Sequence, residues 1–347
     1  MSNTKVAQAL GVSEATVSRV MNNQPGVSKS TAQRVREMAA KLGVGSRAHH
    51  SSLEGIRYNT VGLVVLSADA FQRFSQAYHQ TIAGVEDALR SKGVEMIYAR
   101  ASEPSQLPPR ISAGEVDGLI LAGTHPDPAT LRVIEKLPQV WVCSHREDDC
   151  DMALEGNHAV AQLAADYLLG RGHISLAAIS PLASHPAMRA RLEYFEYLVT
   201  RQNASVKIIS CDVDETLLEQ TDVEDDPLRR LAEVVDGQVE EMLACEPRPT
   251  GIMAANDMVS GMIYAALQKR GIRPGIDIEI IGSEHDGPAL SGLYPRPATI
   301  DIAAFTMGRR SVEQLLWRIA HPNEPHAYQV VVKPWLVHGD DINESLS

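Results

Sequence analysis

The stretch VAQALGVSEATVSRVMN, residues 6–22, contains two short apolar patterns with a glycine between them. Val6 and Leu10 lie four positions apart and give the first pattern one apolar face, which predicts a short helix. Gly11 stands where a left-handed residue would end that helix, and Ser13 is a good N-cap for the next one. The inward-facing apolar residues of the second helix are Val17, Val20 and Met21. The stretch therefore predicts two short helices about a glycine turn.

A third helix is predicted after Pro25-Gly26, with Ser28 as its cap and Gly43 at its end. Its apolar face consists of Val35, Met38, Ala39 and Leu42. The outer face of the second helix is small, polar and basic, which suits entry into a DNA major groove. From these residues alone, a small helical oligomerisation segment fits the pattern as well. Residues 1–45 are predicted to form this helical head.

The charge distribution favours the DNA-binding interpretation. The net charge is −12, yet the first 58 residues contain eight basic and three acidic side chains. This segment is therefore +5 and the remainder −17. A basic head on an acidic body is attracted to phosphate at one end only, which biases the orientation of an encounter with DNA.

The composition is that of an ordinary globular protein, with 44% hydrophobic and 22% charged residues. A length of 347 residues suggests two or three domains. No apolar run approaches the ~18 residues that a membrane span requires, and no signal peptide is evident, so we expect a cytoplasmic protein without a membrane partner. The four cysteines form no CxxC pair, so we predict no disulfide, metal site or cofactor.

Beyond the head the composition changes twice. Residues 46–59 are rich in Ser, His and Arg, which is typical of a domain linker. Residues 60–340 alternate apolar runs with amphipathic stretches. The predicted strands are 61–68, 94–99, 116–123, 139–144, 174–180, 206–211, 250–255 and 278–283. The predicted helices are 76–92, 158–170, 189–202, 228–244 and 257–271. This alternation predicts two parallel α/β lobes with a ligand between them, near the carboxyl ends of the strands.

Two sets of motifs carry a family resemblance. The string VAQALGVSEATVSRVMNNQPGVSKSTAQRV (6–35) resembles the head of the lactose-repressor (LacI/GalR) family. The body motifs are VDGLIL (116–121), YLLGRGH (167–173), ANDMVSGMIYAALQKRGI (255–272), IEIIGS (278–283) and PATID (297–301). The resemblance implies an all-α helix-turn-helix head and a two-lobed α/β effector domain of the periplasmic-binding-protein-like type I fold. It further implies a homodimeric repressor that binds a pseudo-palindromic operator of double-stranded DNA and responds to a small-molecule effector, a sugar or sugar derivative.

The same resemblance implies which head residues contact DNA. Glu14, Ala15 and Arg19 fall on base-reading positions, and an arginine there can bind a guanine bidentately. The positions expected to contact phosphate or support the helix are Thr16, Ser18 and Asn22. Leu53 falls on the hinge leucine that wedges into the minor groove. An alternative for Glu14 is a first-turn acid that stabilises the helix dipole.

The effector residues implied by the resemblance lie in the body. They are Arg191, Asn256, Asp257, Glu284 and Asp301, with Phe74 as part of an apolar wall that also includes Phe71 and Tyr78. A guanidinium, an amide and carboxylates suit the hydroxyl groups of a sugar, because each can bond two polar ligand atoms. Ser283 stands where the family has an aromatic residue. For each of these residues a surface or lobe–lobe salt bridge is the alternative.

One segment also suggests an enzyme. VKIISCDVDETLLE (206–219) resembles the nucleophile strand of haloacid-dehalogenase-type phosphatases, with Asp212 as nucleophile, Asp214 as acid/base and magnesium as counterion. A phosphatase core would have to begin inside a lobe whose other motifs continue on both sides. A transport solute-binding protein would need an export signal. We therefore predict a regulator and no catalytic residues.

Overall fold

The computed structural model describes residues 3–21, 26–41, 54–66, 75–123, 126–144, 149–213 and 226–340. The head contains three helices, α1 (Asn3–Leu10), α2 (Glu14–Met21) and α3 (Lys29–Lys41). Their shared core is small and aliphatic: Val6, Ala7, Val17, Val20, Val35 and Ala39. The predicted helix-turn-helix is thus confirmed, and its core contains none of the aromatic residues that dominate larger cores.

The turns of the head form as their sequence predicts. Gly11 has a φ of +64°, the left-handed conformation that ends α1 at little cost for glycine. The Ser13 hydroxyl accepts a hydrogen bond from the Thr16 amide at 3.1 Å and caps α2. Ser28 caps α3 in the same way, through the Thr31 amide at 3.2 Å. The relative placement of the three helices therefore follows from local residues.

The body contains twelve described strands and nine described helices. The strands are β1 (Thr60–Val65), β2 (Glu95–Arg100), β3 (Gly118–Ala122), β4 (Gln139–Val142), β5 (Met152–Glu155), β6 (Ser175–Ser180), β7 (Ser205–Ser210), β8 (Gly251–Ala254), β9 (Glu279–Ile281), β10 (Thr299–Asp301), β11 (Gln329–Val332) and β12 (Trp335–Val337). The helices are α4 (Gln76–Ser91), α5 (Pro109–Ser112), α6 (Pro128–Ile134), α7 (Asn157–Gly170), α8 (Pro186–Arg201), α9 (Pro227–Leu243), α10 (Asp257–Lys269), α11 (Gly287–Leu290) and α12 (Ala304–Ala320). All eight predicted strands and all five predicted helices are present, while β5, β10, β11 and β12 were not predicted.

The strands form two parallel sheets, one in each lobe. The first lobe has the order β11-β5-β4-β3-β1-β2, and the second has β7-β6-β8-β9. Every pair within these two sheets is parallel, and a short antiparallel pair, β10 with β12, adjoins β9 through a bridge from Ile281 to Ala298. The predicted two-lobed α/β architecture is confirmed.

The chain passes between the lobes three times. It leaves the first lobe after β5 to enter α7, returns after β10 to enter α12, and leaves again after β11 to enter β12. Because β5 ends and α7 begins at one such passage, the carboxyl ends of the first sheet face the second lobe there. The space between the lobes at these strand ends is where polar side chains from both can meet.

Helix α12 packs against α4 through glycines on both helices. A β-carbon added to Gly84 would lie 2.0 Å from the Phe305 carbonyl oxygen, and one added to Gly308 would lie 2.1 Å from the Thr81 carbonyl oxygen. Real β-carbons do not approach backbone atoms so closely, so the two backbones touch here. This contact attaches α12, which follows the second lobe in the sequence, to the first lobe.

In the ranges that the structure describes, no helix combines the length and the apolarity that a bilayer span requires.

Candidate functional site

Arg191 lies at the boundary between the lobes. It sits on the second turn of α8, and only 1% of its surface is exposed. Its Nε donates to Asn157 Oδ1 at 2.7 Å. Its Nη1 donates to the Ala255 carbonyl oxygen at 3.0 Å and to Ser283 Oγ at 2.9 Å. A guanidinium is rarely so buried, and these bonds from three separate elements fix its orientation.

Two carboxylates flank the guanidinium. Glu284 Oε1 is 3.4 Å from Arg191 Nη1, and Glu155 Oε1 is 3.9 Å from Nη2. Asn157 Nδ2 also donates to Glu155 Oε1, at 3.3 Å. Both distances to the guanidinium exceed the 2.7–2.9 Å typical of a good charge-assisted hydrogen bond. The positive charge of Arg191 is therefore shared by two acids, neither of which has a close bond to it.

These groups border a small cavity of about 60 Å³. Its first-lobe lining is Ser75, Ala77, Tyr78, Thr81, Cys143, Glu155 and Met307, and its second-lobe lining is His185, Ala187, Met188, Arg191, Glu284 and Ile302. A cavity of this size holds about two water molecules, whereas ligand pockets typically measure about 300–1,000 Å³. A sugar-sized molecule would therefore require the lobes to separate from the described arrangement.

Glu284 is placed by a strained and tightly bonded loop. Its φ is +94° and that of His285 is +53°, and both lie in the region that non-glycine residues rarely occupy. The Glu284 amide donates to the Ile300 carbonyl oxygen at 2.8 Å. The Asp286 amide donates to Asp257 Oδ2 at 2.8 Å. These bonds hold the loop in a conformation that turns Glu284 towards the cavity.

Burial changes the acidity of Glu284. Its pKa is raised from 4.5 to about 7, chiefly by loss of solvation; Arg191 lowers it in part, and the charges of Glu155 and Asp286 add to the rise. The pKa of the Cys143 thiol is raised well above its usual value, first by burial and then by Glu155. The thiol is therefore neutral at physiological pH, and the Glu284 carboxyl, with a pKa of about 7, changes charge in this range.

The raised pKa of Glu284 predicts a pH dependence of stability. Because the folded-state pKa exceeds the ordinary one, the stabilisation associated with protonated Glu284 is full below pH 4.5 and is lost as the pH rises to about 7. The loss approaches about 1.4 kcal/mol per pH unit at its steepest. Since glutamine resembles protonated glutamate, Glu284→Gln is expected to match the native protein at pH 5 and to exceed its stability at pH 8.

Urea unfolding between pH 5 and pH 8 measures this difference. The three tryptophans, Trp141, Trp317 and Trp335, all lie in the body, so their fluorescence reports its unfolding. Glu233→Gln, at an exposed carboxyl on α9, is the control and should follow the native pH profile. If the free energy of unfolding changed with pH in the same way in the native protein and in Glu284→Gln, the raised pKa of Glu284 would be contradicted.

In the head, the predicted base-reading side chains are accessible. Glu14, Ala15 and Arg19 are all exposed on α2. Thr16 and Ser18 are half-buried, and Thr16 Oγ1 lies 2.8 Å from Ser13 Oγ. Helix α2 thus exposes one acidic and one basic side chain at the positions that the sequence predicts to read bases. Asn22 and Leu53 lie outside the described residues.

Comparison with known proteins identifies both parts of the chain. Residues 4–43 match the model of bacterial regulatory proteins of the lacI family, and residues 165–340, half of the chain, match that of a periplasmic binding protein-like domain. The chain belongs to the lacI family. It is therefore a DNA-binding transcription regulator with a small-molecule effector domain, as the motifs predict.

The similarity to known proteins extends over nearly the whole chain. The ribose operon repressor of Escherichia coli K12 is 25% identical over 332 residues, which cover 91% of this chain and 92% of that protein. The solved lac repressor dimer, bound to operator and an anti-inducer, is 22% identical and covers 98% of both chains with a TM-score of 0.67. The solved complex of the regulator CelR with cellobiose is 20% identical, covers 96% of this chain and 97% of that chain, and has a TM-score of 0.67.

The structure separates the predicted effector residues of this lacI-family chain. Arg191 and Glu284 both line the cavity. Asn256 instead caps α10, where its Oδ1 accepts from the Val259 amide at 3.0 Å. Asp257 accepts from Thr299 Oγ1 at 2.7 and 2.8 Å, and Asp301 accepts from the Ala303 amide at 2.7 Å. None of these three is among the described lining residues, and Phe74 lies outside the described ranges.

Sequence reasoning missed three polar or sulfur-bearing neighbours of Arg191. They are Glu155, Asn157 and Met188, whose Sδ lies 3.8 Å from Arg191 Nη1. The available signal for Glu155 was the run MALE (152–155) directly before helix α7, an apolar strand that ends on an acid. Tyr78, which the sequence suggested only as an apolar wall, does line the cavity.

The phosphatase alternative is wrong for this lacI-family chain, because the family consists of regulators and not of enzymes. Asp212 has a structural contact instead. Its Oδ1 accepts from the Ser184 amide at 2.6 Å and joins the end of β7 to the loop before α8. Asp214 lies outside the described residues.

Proposed function

We propose that this protein is a homodimeric repressor of a pseudo-palindromic operator, controlled by a sugar or sugar-derived effector bound between its lobes. Both DNA and the effector would be met in the cytoplasm. The relatives named for ribose and cellobiose support the effector class, and the lac repressor dimer on its operator supports the assembly. A two-fold dimer presents its two heads to two half-sites of opposite orientation, so the symmetry of the operator mirrors that of the protein.

The observation that carries the effector proposal is the guanidinium of Arg191. Its Nε and Nη1 hydrogens are directed to protein acceptors, whereas the nearest described acceptor of Nη2 is Glu155 Oε1 at 3.9 Å. Two N–H groups are thus left for a ligand at the edge of a cavity that both lobes line. A ligand oxygen that accepts from Nη2 would bind the second lobe at a point fixed by protein hydrogen bonds.

Coupling to DNA follows from where the ligand sits. A molecule held by Arg191 on one side and by the first-lobe lining on the other favours one relative position of the lobes. The head is connected to the first lobe through residues 46–59, so the lobe position would set the distance between the two heads of a dimer. A coupling free energy of about 1–3 kcal/mol, or about 5–150-fold in operator affinity, is typical of such systems.

Selection of bound DNA from a random pool, with and without sugars, tests the proposal. We expect an enriched sequence with inverted symmetry, and binding that weakens steeply with salt because each phosphate contact releases counterions. At least one sugar should change the affinity of the native protein and leave that of Arg191→Lys unchanged. Enrichment of no sequence, or the same sugar response in both proteins, would contradict the proposal.

Arg19 provides the prediction for the head. Its exposed guanidinium, in the last turn of α2, is the group proposed to read a guanine. Arg19→Ala is expected to weaken binding to the selected operator by about 5–150-fold, the ~1–3 kcal/mol of a bidentate contact, and to relax selectivity at one base pair. Fluorescence anisotropy at fixed salt measures both effects, with Arg132→Ala on α6 as a control that should bind like the native protein. Equal weakening on operator and on random DNA would assign Arg19 to phosphate instead.

A further inference from the structure

The Glu284 carboxylate is weakly bonded: in the part of the chain that the structure describes, its side-chain hydrogen donor is Arg191 Nη1, at 3.4 Å. Arg191 Nη1 is 3.4 Å away, but its two hydrogens have closer acceptors in the Ala255 carbonyl oxygen and Ser283 Oγ. Ser283 Oγ in turn donates to Ala255 at 2.9 Å, so it offers no hydrogen to the acid. The hydrogen bond that Arg191 Nη1 donates to Glu284 Oε1 is therefore long, and the same nitrogen has two closer acceptors.

The groups that face Glu284 make a site deficient in positive charge. They are Arg191 of α8, Glu155 of β5, Asp257 of α10, Asp286 of its own loop and Cys143 after β4, with His185 on the cavity wall. Arg191 is the one permanent cation among these described residues, and Glu155 shares its charge. An ionised carboxylate that is 92% buried needs compensation that this shared guanidinium gives only in part.

The chain holds Glu284 in this position at a conformational cost. Glu284 and His285 are two successive non-glycine residues with positive φ, a backbone conformation that is unfavourable for residues with a side chain. Strained backbone of this kind persists where surrounding bonds impose it, here those of Ile300 and Asp257. The strained loop therefore places the carboxylate of Glu284 at the edge of the cavity. When ionised, this group can only accept hydrogen bonds.

We propose that the effector carries a protonated nitrogen, as an amino sugar does, and that Glu284 binds it. This inference rests on the proposed function and names the chemistry of its ligand. A protonated nitrogen supplies closer hydrogen donors and also the positive charge that the site lacks, whereas a neutral hydroxyl supplies a donor alone. Arg191 Nη2 would meanwhile bind a ligand oxygen, so the effector combines one cationic nitrogen with hydroxyl groups.

The raised pKa of Glu284 sets how binding depends on pH. With a pKa of about 7, the carboxyl of the free protein holds a proton about half of the time at neutral pH. A cationic effector binds the ionised form, so binding releases that proton to solvent. Affinity should fall about tenfold for each pH unit below 7, and it should be constant above 8 until the ligand nitrogen itself loses its proton.

Matched pairs of compounds test this on the full-length protein. A thermal-shift series at pH 7 in phosphate buffer, where the amines are mainly protonated, would compare D-glucosamine with D-glucose, D-galactosamine with D-galactose, and 1-amino-1-deoxysorbitol with sorbitol. We expect the amine of at least one pair to raise the melting temperature more than its hydroxyl partner, and Glu284→Gln to remove that preference. Glu233→Gln, an exposed acid on α9, should retain it. Calorimetry of the same amine in phosphate and in HEPES would measure the released proton, expected to be about one half at pH 7.

Several outcomes would overturn the proposal. These are hydroxyl compounds that stabilise as much as their amines in every pair, a preference that survives Glu284→Gln, or an affinity that falls as the pH rises through 7. The last result would mean that protonated Glu284 donates to a neutral ligand. A neutral sugar that binds through Arg191 and changes operator affinity would leave the proposed function standing while this inference fails. The absence of any Arg191-dependent ligand would count against both.

Discussion

Replacing Arg191 by methionine is expected to lower the free energy of unfolding of the body by about 3–5 kcal/mol, because it leaves two buried carboxylates without their shared cation. The exposed fractions are 5% for Glu155 and 8% for Glu284, so water cannot replace the lost interaction. Three protein acceptors of the guanidinium, on Asn157, Ala255 and Ser283, would also lose their donor. Effector binding should disappear in the same variant.

Tryptophan fluorescence during urea unfolding measures the loss. Arg229→Met removes an equally charged side chain that is 77% exposed and paired with Glu233, and it should change stability by less than about 0.5 kcal/mol. Adding Glu284→Gln to Arg191→Met should restore part of the stability, because one of the two uncompensated charges is then gone. The proposed charge balance would be contradicted if Arg191→Met were as stable as Arg229→Met. It would also be contradicted if the double variant, with Glu284→Gln added, were no more stable than Arg191→Met alone.

A single methyl group at Gly308 is expected to produce the second large effect. The added carbon of Gly308→Ala would lie 2.1 Å from the Thr81 carbonyl oxygen and 2.9 Å from the Val85 nitrogen, so α12 and α4 must move apart. Overpacking against backbone, which cannot rotate away, should cost at least the upper part of the usual ~1–3 kcal/mol. Because α4 carries Tyr78 and Thr81 and α12 carries Met307, effector affinity should weaken as well.

Gly237→Ala is the matched control for this substitution. It also lies within a helix, α9, but nothing stands within 4 Å of the position of its new β-carbon. Alanine at an exposed helical site should raise stability by about 0.5–1 kcal/mol. If Gly308→Ala lowers the free energy of unfolding and Gly237→Ala raises it, the close contact between α12 and α4 is established. Changes of the same sign in both variants would refute it. Urea unfolding of both variants gives the comparison.

The head could be predicted from sequence because its structure is local. Gly11, Ser13 and Ser28 determine the turns within a few residues of themselves, and the apolar spacing determines the faces. The body was predictable at the level of two α/β lobes for a similar reason, since each long apolar run became a strand. Strands of three or four residues, such as β9, β10 and β12, contain too little pattern to be recognised by periodicity, and β9 was found because its run extends beyond the strand.

The site was only partly predictable, since it depends on distant parts of the chain. Glu155 reaches Arg191 because β5 pairs with β4 and with β11, and β11 lies about 175 residues further along. Asn256 and Asp257 illustrate a different difficulty. Successive side chains at a helix start point about 100° apart, so one caps α10 while the other turns under the loop of Glu284. Resemblance to a family locates such a pair but does not give the direction of each side chain.

The three passages between the lobes also determine the order in which the protein can assemble on the ribosome. The core of the head is complete once residue 41 has emerged. The first lobe still lacks α12 and β11 until residue 332, and the second lacks β12 until residue 337. Both lobes therefore expose unfinished surfaces, such as the glycine face of α4, for nearly the whole of synthesis. A product cut short before residue 304 would retain the DNA-binding helices but could form neither complete lobe.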